Sequence, residues 1–159
     1  MRMCVSDAVE VLARGVCVVD GMVLLCFGRR SGVRYLPGGH VDFREQARLA
    51  LAREIREETG REARVGRFLG CCEHAFVQEG VPHAEINLIF EMSLPGISVD
   101  KEVIASEDWI GFQWYPLEKL GESCMEPAVL RKLAVGWFDR PAGHCVGGDA
   151  WLDEEAVNP

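Results

Sequence analysis

Glu54, Glu57 and Glu58 stand at i, i+3 and i+4 within a run, 47–60, whose apolar residues repeat with helical period. At about 100° per residue they fall on the same arc as Ala47, Ala50, Leu51 and Ile55. Three carboxylates thus continue an apolar stripe where further core residues would be expected. A solvated charged face would lie opposite that stripe. Inward carboxylates are costly unless positive charge meets them, and cations are the usual answer. The spacing therefore points to a metal site on a helix that packs against a core.

The ends of this helix are signalled as well. Asp42 is the expected N-cap, and Glu45, three residues on, completes a capping-box pattern. Thr59 and Gly60 close the helix, with Gly60 suited to the left-handed position after the last turn. Arg53 lies four residues before Glu57, close enough to pair with it and hold its rotamer. Gly38 and Gly39, just ahead, let the backbone turn tightly and approach a ligand closely.

Gly39, Glu45, Arg53, Glu54, Ile55, Glu57, Glu58 and Gly60 match the spacing G-x5-E-x7-R-E-U-x-E-E-x-G-U, where U is a bulky aliphatic residue. The stretch 39–61 therefore resembles the Nudix box, the signature of the Nudix hydrolases, and the match at fixed spacing is specific. The departure is Arg61 at the last U. That position is structural in the pattern, so the change leaves the metal site intact and bears on how the helix exit packs.

The resemblance implies an α/β fold, the Nudix-type α/β/α sandwich with a mixed β-sheet between helices and the box helix beside the sheet. It implies that Glu54, Glu57 and Glu58 ligate Mg2+, with Mn2+ as a substitute, and that the Gly38 carbonyl adds a ligand. Arg53 and Glu45 would hold the loop and helix in place. The substrate would be a nucleoside diphosphate linked to another moiety, cleaved by water at phosphorus. The residue types suit that chemistry: pyrophosphate repels a nucleophile until a hard cation neutralises it, and such cations want oxygen ligands. A free carboxylate then completes deprotonation of the attacking water. Family members place that base differently, and Glu54, Glu107 and Asp108 are the candidates. Asp108 lies six residues before Trp114, near the offset the family uses ahead of a Trp-x-Pro-Leu-like strand end. A solvated acidic loop is the other reading of Glu107 and Asp108.

At 159 residues, 48% hydrophobic and 26% charged, the chain has the size and composition of one globular domain. Its net charge of −8 argues against nucleic acid or an anionic membrane as a partner, whereas a bridging divalent cation still admits an anionic small-molecule nucleotide. No apolar run reaches membrane-spanning length and the N-terminus lacks a signal peptide's apolar region, so a cytoplasmic protein is expected. The 7 cysteines form no CxxC pair; Cys17 and Cys26 sit in apolar runs and are expected as buried thiols. Cys71-Cys72-Glu73-His74 is not read as a metal site, because adjacent cysteines rarely ligate one ion together. Relatives commonly dimerise, which allows a homodimer, although nothing in the sequence marks an interface.

Along the chain, residues 8–28 predict a hairpin turning at Asp20-Gly21. For Arg29, Arg30 and Arg34 in the following turn two readings stand, solvated loop charge or contact with substrate phosphates. Residues 63–76 read as one or two strands, 78–82 as a turn, and His83 as a loop residue. The strand 83–92 alternates, with Ile86, Leu88, Phe90 and Met92 on one face. Glu85, Asn87, Ile89 and Glu91 on the other are read as a solvated face, substrate contact by Glu85 and Asn87 being the alternative. Residues 94–106 read as loop, 109–116 as a strand and then a short helix, and 127–135 as a second helix with Pro127 in its first turn and Gly136 as its stop. The tail 136–159 either wraps the domain through Trp137, Phe138 and Trp151 or frays, and His144-Cys145 is given no role.

Substrate subclass is sought in residues beyond the box. Ala75, Phe76, Val77 and Gln78 supply neither the proline associated with ADP-ribose nor the tyrosine associated with dinucleoside polyphosphates. A nucleoside triphosphate or small nucleotide sugar is favoured. Two rivals remain: a Nudix-fold sensor that binds a nucleotide metabolite without cleaving it, and an isomerase of the isopentenyl diphosphate type. The first usually has an eroded box and the second altered box glutamates, whereas this box is whole.

Overall fold

The computed structural model describes residues 8–132 and, as backbone, 151–152. The first strand, β1 (Glu10–Val16), runs between β5 (Gly38–His40), antiparallel to it, and β7 (Val81–Ser93), parallel to it. β7 forms a long hairpin with β6 (Arg64–Gln78), and β9 (Trp151–Leu152) joins the far edge parallel to β6. The sheet is mixed, as expected of the fold. Its hairpin turns through Glu79 and Gly80, both left-handed at φ 52° and 81°, the geometry that matches strand twist in a two-residue turn.

A second, antiparallel sheet is built on β3 (Met22–Gly28), which pairs with β2 (Val18–Val19), β4 (Arg34–Tyr35) and β8 (Ile110–Pro116). Asp20-Gly21 turns the chain as expected, at φ 49° and 73°. The hairpin it makes is shorter than 8–28, however, because β1 and β3 belong to different sheets and the break falls at Cys17. A continuous apolar run has no period from which its pairing partner can be read.

Against the five-stranded sheet, beside β5 and β1, lies α1 (Ala47–Thr59). Its Ala50, Leu51 and Ile55 pack with Ala13 of β1, Phe90 and Met92 of β7, and Leu24 and Cys26 of β3. The opposite faces of the strands supply a second core, including Val16, Ile89, Val23 and Leu25, closed by Leu120 and Met125 beyond β8. Cys17 and Cys26 are fully buried thiols, and burial pushes their pKa up to about 11 and about 12.

The N-cap of α1 is Gln46, not Asp42. Phe43 and Arg44 form a turn of their own ahead of the helix, in which the Glu45 N–H donates to the Asp42 carbonyl at 3.0 Å and the Asp42 N–H to Glu45 Oε2 at 3.1 Å. The capping-box pattern is spent on closing that turn. At the other end Gly60 is left-handed at φ 68° and its N–H bonds Arg56 O, as expected. Pro116 leads into a 3-10 helix, Leu117–Glu122, and residues 129–132 are helical, so the second helix starts after Pro127 rather than on it. The remainder of 127–135, with Trp137, Phe138, His144 and Cys145, lies outside the described residues. No described helix is long and apolar enough to cross a membrane.

Candidate active site

The box is organised by Arg53. Its Nε and Nη2 donate to the two oxygens of Glu45, each at 2.9 Å, and Nη2 also reaches the His40 carbonyl at 3.0 Å. Nη1 donates to Glu54 Oε1 at 2.8 Å and to Glu57 Oε2 at 3.2 Å. One guanidinium thus fastens the loop before α1 to two carboxylates on the helix, using the planar fork that only arginine offers. Hydrogen bonds from Arg53 and from the Asp42 N–H hold the Glu45 carboxyl down to about 2.

Glu54 lies against Gly39, with its carboxylate where a Cβ at that position would stand. Glu57 is the outermost of the three, its side chain 55% exposed. Glu58 is different. It is 6% exposed, and its Oε2 has no hydrogen-bond partner. Burial pushes its pKa up to about 8, opposed by Arg14 and reinforced by Glu54, Glu107 and Glu57. A carboxylate buried among three others, with an orphaned oxygen, is an environment short of positive charge. It fits a divalent cation. Among the described residues no three acidic, histidine or cysteine side chains are already gathered as a metal shell, since Glu54 and Glu57 are both turned to Arg53.

Glu107 is half-buried and within electrostatic reach of Glu58, while its neighbour Asp108 is exposed. This loop is tied to α1 by the Ser106 N–H donating to the Glu58 carbonyl at 2.6 Å. Arg29 is exposed and fastens the start of β8, its Nε donating to Ile110 O at 2.7 Å and its N–H to Trp109 O at 2.9 Å. Arg34 is placed elsewhere: its guanidinium lies 5.9 Å from the Tyr115 ring centroid, and its Nε is buried without a partner. The structure therefore gathers Gly38, Gly39, Arg53, Glu54, Glu57 and Glu58, draws Glu107 near them, and leaves Arg34 apart.

The face of β7 carrying Glu85, Asn87 and Ile89 is not a solvated one. Asn87 is 1% exposed and Ile89 fully buried, because β1 and β6 flank β7 on either side and the second core covers this face. Glu85 is half-buried and accepts from Asn87 Nδ2 at 3.2 Å. His83 belongs to β7 rather than to a loop; it stacks on Phe76 at 5.0 Å and meets Glu10, which also binds His40. The residue that sequence reasoning missed is Arg14. It donates from Nη1 to the carbonyls of Gly38, at 2.8 Å, and Leu36, at 3.3 Å, and from Nε to Asn87 Oδ1 at 3.3 Å. A lone cation inside the apolar run 11–19 was the signal available for it.

The NUDIX domain profile matches residues 10–135, which contain all of these groups. The chain belongs to the NUDIX family. Among similar solved structures, the Escherichia coli ORF135 protein is 26% identical, with a TM-score of 0.59 over 86% of this chain and 96% of that one. A MutT NUDIX hydrolase from Burkholderia pseudomallei is 24% identical, with a TM-score of 0.64 over 82% and 98%. An ADP-ribose pyrophosphatase from Streptococcus suis is 14% identical, with a TM-score of 0.57 over 92% and 98%. The latter two likenesses are of fold. Family membership makes the chain a hydrolase of pyrophosphate bonds in nucleotide derivatives, in a family that generally uses divalent metals.

Proposed function

We infer that this NUDIX protein hydrolyses a nucleoside triphosphate or a small nucleotide sugar, with Mg2+, or Mn2+ in its place, held by Glu54, Glu57, Glu58 and the Gly38 carbonyl. The observation that carries the reading is Glu58, buried at 6% exposure with one oxygen unpartnered. Bound there, the cation supplies charge neutralisation of the pyrophosphate and acidifies the attacking water. Arg53 orients Glu54 and Glu57 through its hydrogen bonds to both. Of the base candidates, Glu54 is committed to Arg53 and Asp108 is exposed, so Glu107, half-buried beside Glu58, takes the proton of the attacking water. Water's oxygen bonds phosphorus, the anhydride P–O bond breaks, and the leaving phosphate oxygen carries away the electron pair. Arg29, hydrogen-bonded to the start of β8 next to the Glu107 loop, would meet the substrate's phosphates, and Arg34 and Glu85 would serve parts of the substrate farther from the box. Against a net charge of −8, such cationic contacts would add to the bridging cation in attracting an anionic substrate.

The match over 10–135 supports one catalytic domain for the chain, and the absence of disulfides among the described cysteines accords with a reducing, cytoplasmic setting. The test is phosphate release, after coupling to a phosphatase, from a panel of nucleoside triphosphates, nucleotide sugars, ADP-ribose and dinucleoside polyphosphates with Mg2+ and then Mn2+. Metal-dependent cleavage of a triphosphate or nucleotide sugar is expected. Glu57→Gln should nearly abolish it while far-UV circular dichroism is unchanged. A variant turning over at the wild-type rate removes Glu57 from the site, and tight nucleotide binding without turnover by the wild type assigns the protein to the sensors.

A further inference from the structure

The Glu85–Asn87–Arg14–Gly38 chain of hydrogen bonds joins the polar face of β7 to the backbone of the box. Both ends of the Asn87 amide are committed. Its oxygen accepts from Arg14 Nε and its nitrogen donates to Glu85 Oε2, so the orientation of the group is chemically determined. Asn87 in turn is almost wholly buried, in the middle strand of β1, β7 and β6. Arg14, held from that side and lying 5.2 Å from the Tyr35 ring centroid, extends Nη1 to the Leu36 and Gly38 carbonyls.

Gly38 needs such holding. Glycine has the least intrinsic backbone preference of any residue, and here φ is +127°, a conformation that other residues rarely adopt. A Cβ at this position would run into the Ala13 carbonyl and the Leu51 side chain, so only glycine fits here. That close approach leaves no room for a side chain, while the Gly38 carbonyl oxygen meets a hydrogen-bond partner. That partner is Arg14.

We propose that Arg14 is a positioning residue of the metal site, which, oriented by Asn87, aims the Gly38 carbonyl so that the oxygen's remaining lone pair is available to a divalent cation alongside the box glutamates. This rests on the proposed function. The bond to Arg14 takes one lone pair of the oxygen and leaves the other. Charge alone does not explain the arrangement. A cation placed beside Glu58 repels a metal ion, so any benefit to metal binding comes from the geometry of the guanidinium. Lysine keeps the charge and loses the fork, which separates the two contributions.

The experiment is direct Mn2+ binding without nucleotide, read as free Mn2+ by electron paramagnetic resonance, for wild type, Arg14→Lys and Asn87→Ala. Circular dichroism and thermal unfolding establish that each variant is folded. Groups that orient metal ligands are typically worth ten- to hundredfold in affinity, so Arg14→Lys should weaken Mn2+ binding by about tenfold or more and Asn87→Ala in the same direction. The turnover rate should fall at low Mn2+ and recover at saturating Mn2+, with KM for the nucleotide unchanged. Should Arg14→Lys not fold, Asn87→Ala decides. Folded variants that bind Mn2+ as tightly as wild type overturn the proposal while leaving the metal-dependent function standing. A wild type that binds no Mn2+ overturns both.

Discussion

The Glu54 carboxylate occupies the space beside Gly39 where any other residue would carry its Cβ. The two positions are matched: the glycine in β5 leaves room for the carboxylate on α1, and Arg53 pins that carboxylate in place at 2.8 Å. Gly39→Ala should force Glu54 out of register with Glu57 and Glu58. Misplacement of a reacting group by about 1 Å can cost ~100-fold, so turnover should drop by at least about tenfold with little change in unfolding midpoint. Steady-state kinetics on the alanine variant decides this, and wild-type turnover would show that the carboxylate has room to move.

Glu45 and Arg53 make a paired, two-bond contact that closes the loop onto α1. The Glu45 carboxyl lies below its ordinary value of 4.5, at about 2. A lowered carboxyl pKa contributes stability that is present above about 4.5 and lost as pH falls through about 2. Glu45→Gln should therefore be less stable than wild type at pH 7, and the gap should close toward pH 2. Because Glu54 and Glu57 share the same guanidinium, the variant should also lose turnover. Urea unfolding of both proteins across this pH range checks the first point; a gap that persists unchanged at pH 2 would remove the ion pair as its cause.

Glu58 carries the opposite sign. Its folded pKa, about 8, is above its ordinary value of 4.5, so between these values the native state holds more protons than the unfolded chain. Stability of the metal-free protein should fall as pH rises from about 4.5 to about 8, by on the order of a few kcal/mol. Glu58→Gln should flatten that slope, and Mn2+ at pH 8 should restore stability to wild type but not to the variant. Denaturant midpoints at pH 5 and pH 8 with chelator, then with Mn2+, provide the comparison. Parallel slopes for the two proteins would show that Glu58 is not the group responsible.

Much of this site was legible from positions a few residues apart. The i, i+3, i+4 glutamates, the Gly39 and Glu45 spacing, the Arg53–Glu57 pair and the left-handed Gly60 all depend on helical geometry and on interactions within one or two turns. The same local logic placed Asp20-Gly21 in a turn. It misplaced the N-cap because Asp42 and Glu45 satisfy each other in either arrangement, and only packing of the loop selects which one forms.

Arg14 and Asn87 show what lay beyond that reach. They are 73 positions apart, and they meet because β1 adds to β7 in parallel rather than hairpinning with β3. Alternation along 83–92 announced two unlike faces and could not say that the polar one would be covered by a second core. The backbone's own geometry sets helix period, turn type and motif spacing, and these are written residue by residue. Which strand edges pair, and which faces are buried, depends on the free energy of the whole assembly of surfaces, so the groups that hold Gly38 became visible only in the folded chain.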